Sequence, residues 1–479
     1  MNILILNPPR LEHRISVIRE DRCEITDRYA IIPPYSLITI ASILRNNGHH
    51  IHFIDANGVG LSYDQIDELV NFSHFDILIF RFTPTTFDWD MRIAELSKRR
   101  NPNIMTIGIC LTLHKLGKEV MKKAPFLDYY LPIDWDELIS DVVCGISESH
   151  LSGLVGVYYR ERGDIVFYPH RVSGKVILDW PMPAYDLLPD LRHYRPNAPI
   201  NGNYMIMYSS KGCPFQCAFC TVARTRHKMR SVENIIRELE HLYINYNVRT
   251  VSFFDETFTI SKPRLMEICN EIAQKMPNLR WYCNTRVNLV DEDILRIMRE
   301  GGCRGISFGI ESGSQRILDA VNKGTRVDDA VRAINMAKRA GLKVFASFIF
   351  GLPGENYESI NETMIFIRST LPHGAQFNVA VPYPGTDLYE YARKTNMLDD
   401  DVSWTQLYQH KAILRTSQLS QNELERLRKN AYIRFYLNPK WLLQNVIWVI
   451  NHVEDLSLGM RYYVKCMLNI MLHGMEHAH

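Results

Sequence analysis

The chain has 479 residues, of which 46% are hydrophobic and 23% charged, an ordinary composition for a globular protein of two or three domains. Its 55 basic and 53 acidic side chains give a net charge of +2, which offers no support for nucleic acid as a partner. The amino terminus lacks a basic leader, and no stretch reaches the roughly 18–20 apolar residues of a membrane span, so we expect a cytoplasmic protein.

The first part of the chain alternates short apolar runs with amphipathic stretches of helical spacing. Such alternation is typical of a parallel sheet with helices on both faces. Five strands predict an open, doubly wound, Rossmann-like α/β domain over residues 1–145. The predicted strands are Asn2–Leu6, His50–Ile54, Asp76–Phe80, Asn103–Ile107 and Asp128–Leu131.

Residues 146–203 interrupt this alternation with scattered glycines and polar residues. Asp179–Tyr185 contains two prolines, which exclude a helix interior. We interpret residues 146–203 as a linker that carries a hairpin at Gly156–Tyr168.

The alternation returns between residues 204 and 396, with helical segments such as Ser231–Tyr246 after the strands. A repeat of roughly 25–40 residues suits right-handed strand–helix crossovers. We therefore predict a partial (β/α)6 barrel with its chemistry at the carboxyl ends of the strands. The predicted strands are Tyr204–Ser209, Thr250–Phe254, Arg280–Asn284, Gly305–Ile310, Lys343–Phe350 and Ala375–Val381. Residues 397–479 are predicted to be α-helical, with apolar, aromatic-rich segments at Trp441–Ile450 and Tyr462–Leu472.

Three cysteines occur within eight residues, directly after the first strand of the second alternating region. The spacing of Cys213, Cys217 and Cys220 lets one loop bind three corners of an iron–sulfur cubane, for which thiolates are the preferred ligands. Such a loop leaves one iron open to a substrate or cofactor. The alternatives are a zinc site with His227 as the fourth ligand, or three unrelated buried cysteines.

This cysteine pattern, with the aromatic Phe219 before the last cysteine, resembles the signature of the radical SAM superfamily. Over about residues 1–396 the chain is similar to the group with an amino-terminal cobalamin-binding domain. That group is typified by the anaerobic magnesium-protoporphyrin monomethyl ester cyclase and by cobalamin-dependent methyltransferases. The runs that carry the resemblance are Tyr208–Cys217, Phe254–Phe258, Gly305–Gly313, Phe350–Glu355 and Pro382–Thr386.

The resemblance implies that the three cysteines hold a [4Fe–4S] cluster whose open iron binds S-adenosylmethionine (SAM). One electron would then cleave SAM to a 5′-deoxyadenosyl radical, which abstracts hydrogen from an unactivated carbon. It further implies a small-molecule or lipid-like substrate, and an electron donor of the flavodoxin or ferredoxin type.

The resemblance also places the ends of the second and third barrel strands near the methionine part of SAM. Asp255 and Glu256 would accept hydrogen bonds from its amino group, and a cap for the following helix is the alternative. Arg286 would pair with the SAM carboxylate, because a guanidinium can donate two parallel hydrogen bonds to the two carboxylate oxygens. A surface salt bridge is the alternative.

The ends of the fourth and fifth barrel strands correspond to the nucleoside part of SAM. The resemblance implies that Glu311 and Ser312 lie near the ribose hydroxyls. Gly351 and Pro353 belong to a turn whose backbone would approach the adenine, or they form a plain turn. Weaker candidates for substrate contacts are Gln376, Asn378 and Tyr383.

The first domain keeps only part of the pattern that the resemblance implies for cobalamin. Asn7–Pro9 and Asp55 follow the first two strands as in relatives, but Gly108–His114 places the branched Ile109 where relatives have a second glycine. The chain lacks the Asp-x-His-x-x-Gly sequence, so a bound cobalamin would have no histidine ligand on its cobalt. Two alternatives stay open, namely retained cobalamin binding and a vestigial domain that shapes the substrate channel.

Outside the three-cysteine loop, the sequence supports no second cluster. The isolated cysteines predict buried, inert thiols, with Cys283 a weak candidate for the active site. They are Cys23, Cys110, Cys144, Cys269, Cys283, Cys303 and Cys466. For the carboxyl-terminal helices we favour packing over the barrel mouth, and peripheral contact with a membrane is the alternative.

Three functional hypotheses follow from these patterns. In the first, SAM and cobalamin act together to methylate an unactivated carbon. In the second, the radical drives a cyclisation, dehydrogenation, dehydration or carbon–carbon coupling, and the first domain holds no cofactor. The third is a cobalamin- or cluster-dependent sensor, against which the complete set of SAM-facing strand ends argues.

Overall fold

The computed structural model of the chain describes residues 1–12, 15–20, 25–27, 30–148, 154–169, 177–196, 200, 202–399 and 402–451. Cys23, Cys466 and the predicted segment Tyr462–Leu472 lie outside these residues. The chain divides into two compact units. The first unit contains residues 1–195, 228–231 and 403–405, and the second contains residues 196–227, 232–402 and those from 406 onward.

A seven-stranded sheet forms the centre of the first unit, in the order β4-β1-β5-β6-β7-β8-β9. The strands of this sheet are β1 (Asn2–Asn7), β4 (His50–Asp55), β5 (Ile77–Arg81), β6 (Met105–Ile109), β7 (Tyr129–Leu131), β8 (Tyr158–Glu161) and β9 (Asp164–Phe167). Two further strands, β2 (Ser16–Ile18) and β3 (Ile25–Asp27), form a separate antiparallel pair. The helices are α1 (Tyr35–Asn46), α2 (Ala56–Val59), α3 (Tyr63–Leu69), α4 (Phe87–Arg100), α5 (Gly117–Lys123) and α6 (Trp135–Ser147).

The first five strands of this sheet are parallel, and two apolar clusters bury both of its faces. A parallel sheet covered on both faces requires apolar residues at successive positions, which explains why β1 and β5 read as continuous apolar runs. The predicted doubly wound domain is confirmed. Its strand order reverses between β1 and β5, the place where such sheets bind ligands.

The hairpin β8–β9 extends the first sheet, although the sequence predicts a linker between residues 146 and 203. Tyr159 pairs antiparallel with Tyr129, and their rings stack with centroids 6.3 Å apart. Tyr158 and Tyr130 form a second stacked pair at 5.9 Å. Tyr129, Tyr130 and Tyr159 are buried and Tyr158 is partly buried. Because cross-strand pairing packs these rings together, the hairpin belongs to the first unit, which continues to Arg195.

A buried ion pair fixes the segment that follows β1. Arg19 contacts Asp90 at 2.7 Å, and its guanidinium also donates to the carbonyl oxygens of Pro8 and Pro9. Both charged side chains are almost fully buried. A buried ion pair needs such further hydrogen bonds to offset its loss of water, so Arg19 ties this segment to the carboxyl end of the sheet.

The second unit is built on six parallel strands that lie in sequence order, β10-β13-β14-β15-β16-β17. The strands of this sheet are β10 (Asn203–Met207), β13 (Val248–Phe253), β14 (Arg280–Thr285), β15 (Cys303–Glu311), β16 (Lys343–Phe350) and β17 (Gly374–Val379). Two short strands lie outside it, β11 (Ser210–Lys211) in the second unit and β12 (Lys228–Met229) in the first. The helices are α7 (Val232–Asn245), α8 (Lys262–Lys275), α9 (Glu292–Glu300), α10 (Gln315–Ala320), α11 (Val327–Arg339), α12 (Tyr357–Thr370), α13 (Asp387–Lys394), α14 (Gln421–Tyr436) and α15 (Pro439–Asn451).

Each neighbouring pair in this second sheet is parallel, so the predicted partial barrel of six strand–helix units is confirmed. β14 and β16 alternate buried with partly exposed residues. One face of these strands therefore packs in the core, and the other stays accessible, as a barrel with a ligand site requires. Within the described ranges, none of the helices combines the length and apolarity that crossing a bilayer demands.

Candidate functional site

The cysteine loop leaves the carboxyl end of β10, the first strand of the partial barrel. Cys213 and Cys217 are buried and Cys220 is partly exposed, and all three are free thiols. Gly212 has a φ of +81°, and a Cβ there would lie 2.1 Å from the carbonyl oxygen of Arg226. Only glycine fits this position, and it lets the loop turn back on itself directly before the first cysteine.

Backbone hydrogen bonds hold the middle of this loop. The amide of Ala218 donates to the carbonyl of Val321 at 2.9 Å, and the amide of Leu388 donates to the carbonyl of Ala218, also at 2.9 Å. The amide of Cys213 donates to the hydroxyl of Thr225 at 2.9 Å. The loop is thus fixed by segments from three other parts of the second unit, which preorganises its sulfur atoms.

The three thiols are close enough to affect one another's ionisation. Burial raises the pKa of Cys213 and of Cys220, and the neighbouring Cys217 raises both further. These two groups are therefore protonated at neutral pH until a metal displaces the protons. Three cysteines match the ligand set of an iron–sulfur cluster that keeps one iron free of protein ligands.

The zinc alternative receives no support from the geometry. A zinc ion requires its ligands to converge on one point, with each sulfur about 2.3 Å away. Among the described residues, no three His, Cys, Asp or Glu side chains are grouped in that way. Burial lowers the pKa of His227, and the charged groups that act on this ring are Asp255 and Arg264. A cubane binds each sulfur through a different iron and accepts wider spacing between the sulfurs.

Arg286 lies beside the cysteine loop, directly after β14. Its Nη1 is 3.5 Å from the sulfur of Cys217, its Nη2 donates to the carbonyl of Lys323, and its guanidinium covers the ring of Phe215 at 4.0 Å. The Nε atom of Arg286 is buried and has no hydrogen-bond partner among the described residues. This residue therefore presents a buried positive charge with spare donor capacity next to a cysteine sulfur.

Glu311 ends β15 and forms a buried ion pair with Lys323 at 2.8 Å. Its backbone has a φ of +69°, which is unusual for a residue other than glycine. The Lys323 ammonium also lies 5.9 Å from the ring of Phe219 in the cysteine loop. Glu311, Lys323 and Arg286 therefore form one charged group beside this loop.

Asp255 follows β13 and is fully buried. It accepts a hydrogen bond from the amide of Ser209 at 2.7 Å, and one each from the hydroxyls of Ser209 and Ser210 at 2.5 Å. These two serines lead directly into the cysteine loop. The structure therefore joins Asp255 to the start of that loop, and Glu256 is the next residue along the same strand end.

Ser312 and Gly351 lie at strand ends, where their polar groups form hydrogen bonds with nearby residues of the second unit. The Ser312 hydroxyl lies 3.2 Å from that of Thr363 and also accepts from the amide of Ser314. Gly351 has a φ of +91° and donates its amide to the carboxyl group of Glu355. This bond closes a tight turn after β16 that includes the buried Pro353, as the sequence predicts for a turn.

Burial raises the pKa of Glu355 to about 8, although amide donors at Gly351 and Leu352 oppose the shift. The folded protein therefore binds more protons than the unfolded chain between about pH 4.5 and 8. We expect the contribution of Glu355 to the unfolding free energy to be complete below about pH 4.5. As the pH rises through this window, the contribution should fall by about 1.4 kcal/mol per pH unit. Urea unfolding of the wild type and of Glu355→Gln across this range measures the effect. The variant should lack this slope, and identical slopes would contradict the assignment.

The weaker candidates lie in different environments. Gln376 donates to Asn378 at 3.2 Å on the accessible side of β17, and Tyr383 is buried. Cys283 shares the buried side of β14 with Trp281. Burial and a hydrogen bond with Cys303 raise its pKa, so Cys283 belongs to the packed core rather than to the accessible face.

The first unit has a small cleft where its strand order reverses. Asn7 at the end of β1 and Arg81 at the end of β5 line it, together with Arg19, Glu20 and Pro34. The cleft therefore lies at the carboxyl edge of the sheet, where open parallel sheets bind their ligands.

The segment after β6 is the place where the resemblance implies entry of the cobalamin nucleotide tail. A Cβ at Gly108 would lie 2.9 Å from side-chain atoms of Phe82 and Leu127, and Phe82 packs against Tyr130 with centroids 5.6 Å apart. Burial lowers the pKa of His114, whose Nδ1 is 2.9 Å from the carbonyl of Leu111. The space beside this strand is therefore packed with apolar side chains.

Lys323 and Glu355 are the residues that the sequence analysis left without a role. Glu355 ends the run from Phe350 that carries part of the resemblance, but its burial follows from tertiary packing. Lys323 lies in an Asn-Lys-Gly segment, which signals a tight turn without showing what the lysine faces. Its ion-pair partner, Glu311, lies twelve positions earlier in the sequence, and no local pattern links the two residues.

Comparisons with known proteins agree with this architecture. A family model described as the radical SAM superfamily matches residues 207–367. An uncharacterized methyltransferase of Pyrococcus horikoshii is 30% identical over 86% of this chain and 90% of its own length. The anaerobic magnesium-protoporphyrin IX monomethyl ester cyclase of Rubrivivax gelatinosus is 28% identical over 86% of this chain and 75% of its own.

Two solved structures share the fold. OxsB, a cobalamin-dependent SAM radical enzyme with aqua-cobalamin and SAM bound, matches 99% of this chain and 76% of its own, with a TM-score of 0.71 and 15% identity. The radical SAM methyltransferase TsrM from Kitasatospora setae, with cobalamin and a [4Fe–4S] cluster bound, matches 83% of this chain and 78% of its own, with a TM-score of 0.67 and 16% identity.

Proposed function

Because this chain belongs to the radical SAM superfamily, we propose that it cleaves SAM reductively at a [4Fe–4S] cluster and methylates an unactivated carbon with cobalamin as a second cofactor. The observation that carries the proposal is the loop of three free thiols at the carboxyl edge of six parallel strands, with Arg286 beside Cys217. The cluster, when bound, supplies the electron that breaks a carbon–sulfur bond of SAM.

The charged residues of the second unit have distinct roles in this proposal. Arg286 binds the carboxylate of SAM through its spare donor capacity. The Glu311 carboxylate, held by Lys323, accepts hydrogen bonds from the ribose. Asp255 orients the start of the cysteine loop through Ser209 and Ser210, and Glu256 faces the amino group of SAM.

The remaining strand ends contribute to the nucleoside site. The turn that Gly351 and Pro353 form brings backbone groups near the adenine, and the neutral carboxyl of Glu355 keeps that turn closed. Ser312 orders the end of β15 through its bonds to Thr363 and Ser314. These residues exclude water from the reacting atoms without taking part in the chemistry.

Methylation is supported by the name of the Pyrococcus relative, an uncharacterized methyltransferase, and cobalamin by the two structures of similar fold that are described with it bound. A second candidate is a radical cyclisation or oxidation without cobalamin. One observation favours it, namely the apolar packing of Phe82, Leu127 and Tyr130 beside β6 in the first unit.

Product stoichiometry tests the proposal. With an electron donor, SAM and substrate, we expect the anaerobically reconstituted protein to release S-adenosylhomocysteine and 5′-deoxyadenosine together. Release of 5′-deoxyadenosine alone would establish the second candidate, and failure to cleave SAM would overturn both. The absorption spectrum of protein purified from cobalamin-fed cells reports separately whether a corrinoid is bound.

The proposal includes a small-molecule or lipid-like substrate and a flavodoxin- or ferredoxin-type electron donor. Eight described cysteines are free thiols, as is usual for proteins of a reducing compartment. We therefore assign the reaction to the cytoplasm.

A further inference from the structure

The last described helix, α15, has two faces of different character. On one face, the Trp441 indole donates to the carbonyl of His373 at 3.1 Å, and Gln444 donates to that of Leu371 at 3.1 Å. Trp448 lies on the same face, with its ring 4.6 Å from that of His373. This face therefore fixes α15 to the second unit.

The opposite face of α15 is a continuous apolar stripe. Its residues recur at positions i, i+3, i+4 and i+7 and are about half exposed or more. They are Leu443 (62%), Val446 (54%), Ile447 (48%) and Ile450 (60%). Single exposed apolar residues are common on proteins, but a stripe at helical spacing marks an interaction surface.

The preceding helix α14 packs against α15 and carries further exposed apolar residues, together with basic ones. Ile433 and Leu437 are exposed near its carboxyl end. The sequence from residue 426 to 451 contains no aspartate or glutamate. The exposed basic residues in that span are Arg426, Lys429, Arg434 and Lys440, of which Arg426 lies close to Glu423.

We propose that this apolar and basic surface of α14 and α15, which we call the α14–α15 surface, binds the headgroup region of an anionic phospholipid bilayer. Apolar side chains beside cations, without acids, are the composition of helices that lie in the plane of a membrane surface. The apolar stripe enters the boundary between headgroups and acyl chains, and the cations attract the negative lipids.

The charge pattern favours a bilayer over a second copy of the chain. A two-fold interface brings the patch of one copy against the same patch of the other, so the exposed cations of both copies would share one interface. Like charges across an interface oppose association. An anionic bilayer supplies both complements, an apolar layer and negative headgroups.

Vesicle binding by the full-length protein tests the proposal. We expect sedimentation with vesicles of equal parts phosphatidylcholine and phosphatidylglycerol to exceed that with phosphatidylcholine alone, and to weaken at high salt. The double variant Leu443→Glu, Ile447→Glu should lower the vesicle affinity by at least about tenfold. Arg434→Gln with Lys440→Gln should lower it by about tenfold on the anionic vesicles alone.

Ile244→Glu serves as the matched control, because Ile244 is 74% exposed on α7 and outside this surface. It should bind vesicles like the wild type, and all variants should unfold at similar temperatures. The proposal is overturned if the wild type ignores both kinds of vesicle or if the double glutamate variant binds equally well. A dimer in analytical ultracentrifugation that this variant dissociates, without vesicle binding, would instead establish an interface between two copies.

Discussion

The Cys217→Ala variant, reconstituted without oxygen, will keep its fold and lose both its cluster and its cleavage of SAM. Iron should fall from about four atoms per chain to background, because a cubane held by two cysteines lacks the third protein ligand that closes the site. Iron analysis, the visible absorption of the cluster and the yield of 5′-deoxyadenosine measure the effect. Cys213→Ala and Cys220→Ala should give the same result.

Cys269→Ala is the control for this loss. Cys269 is buried on α8, outside the cysteine loop, and burial raises its pKa well above the ordinary value. Its replacement should leave the iron content and SAM cleavage at the wild-type level. If Cys217→Ala retained a cluster and cleaved SAM, the assignment of the cysteine loop would be wrong.

Asp255→Ala should cost about 3–5 kcal/mol of unfolding free energy, since it leaves one buried amide and two buried hydroxyls without their carboxyl acceptor. The released serines lead into the cysteine loop, so we also expect the loop to bind its cluster poorly. Urea unfolding of the protein without metal measures the first effect. Iron content after reconstitution measures the second.

Asp293→Ala provides the comparison for Asp255. The Asp293 side chain is 72% exposed and contacts Arg296 at 3.8 Å, a geometry that contributes little to stability. Its removal should change the unfolding free energy by less than about 0.5 kcal/mol and leave the iron content unchanged. Equal effects of the two substitutions would show that Asp255 has no special function at the start of the loop.

The strands of both units follow from the sequence because of a simple physical requirement. A parallel strand with both faces covered must be apolar at nearly every position, as in Ile3–Leu6 and Ile77–Phe80. The hairpin Tyr158–Phe167 is different, since it is not a continuous apolar run and its partner strand, β7, lies almost thirty residues earlier. Local patterns indicate the hairpin, whereas its place in the sheet depends on the stacking of tyrosines across strands.

The candidate site likewise has one part that the local sequence predicts and another that depends on contacts between distant residues. Cysteine spacing is a local pattern, so the loop is recognisable without a structure. The bond from Asp255 to Ser209 and Ser210 spans 45 residues or more, and no pattern in either segment specifies it. Lys323 was missed for the same reason, because only the fold shows that a turn lysine meets the end of β15.

The hydrogen bonds of Ala218 have a consequence for how the protein matures. The loop around Ala218 is held by Val321 and by Leu388, the second of which is synthesised 170 residues later. While the ribosome is still translating the barrel, the cysteines lack these supports and remain exposed to oxidants. We therefore expect stable cluster insertion to follow the synthesis of Leu388, as a late event rather than a nucleus around which the chain folds.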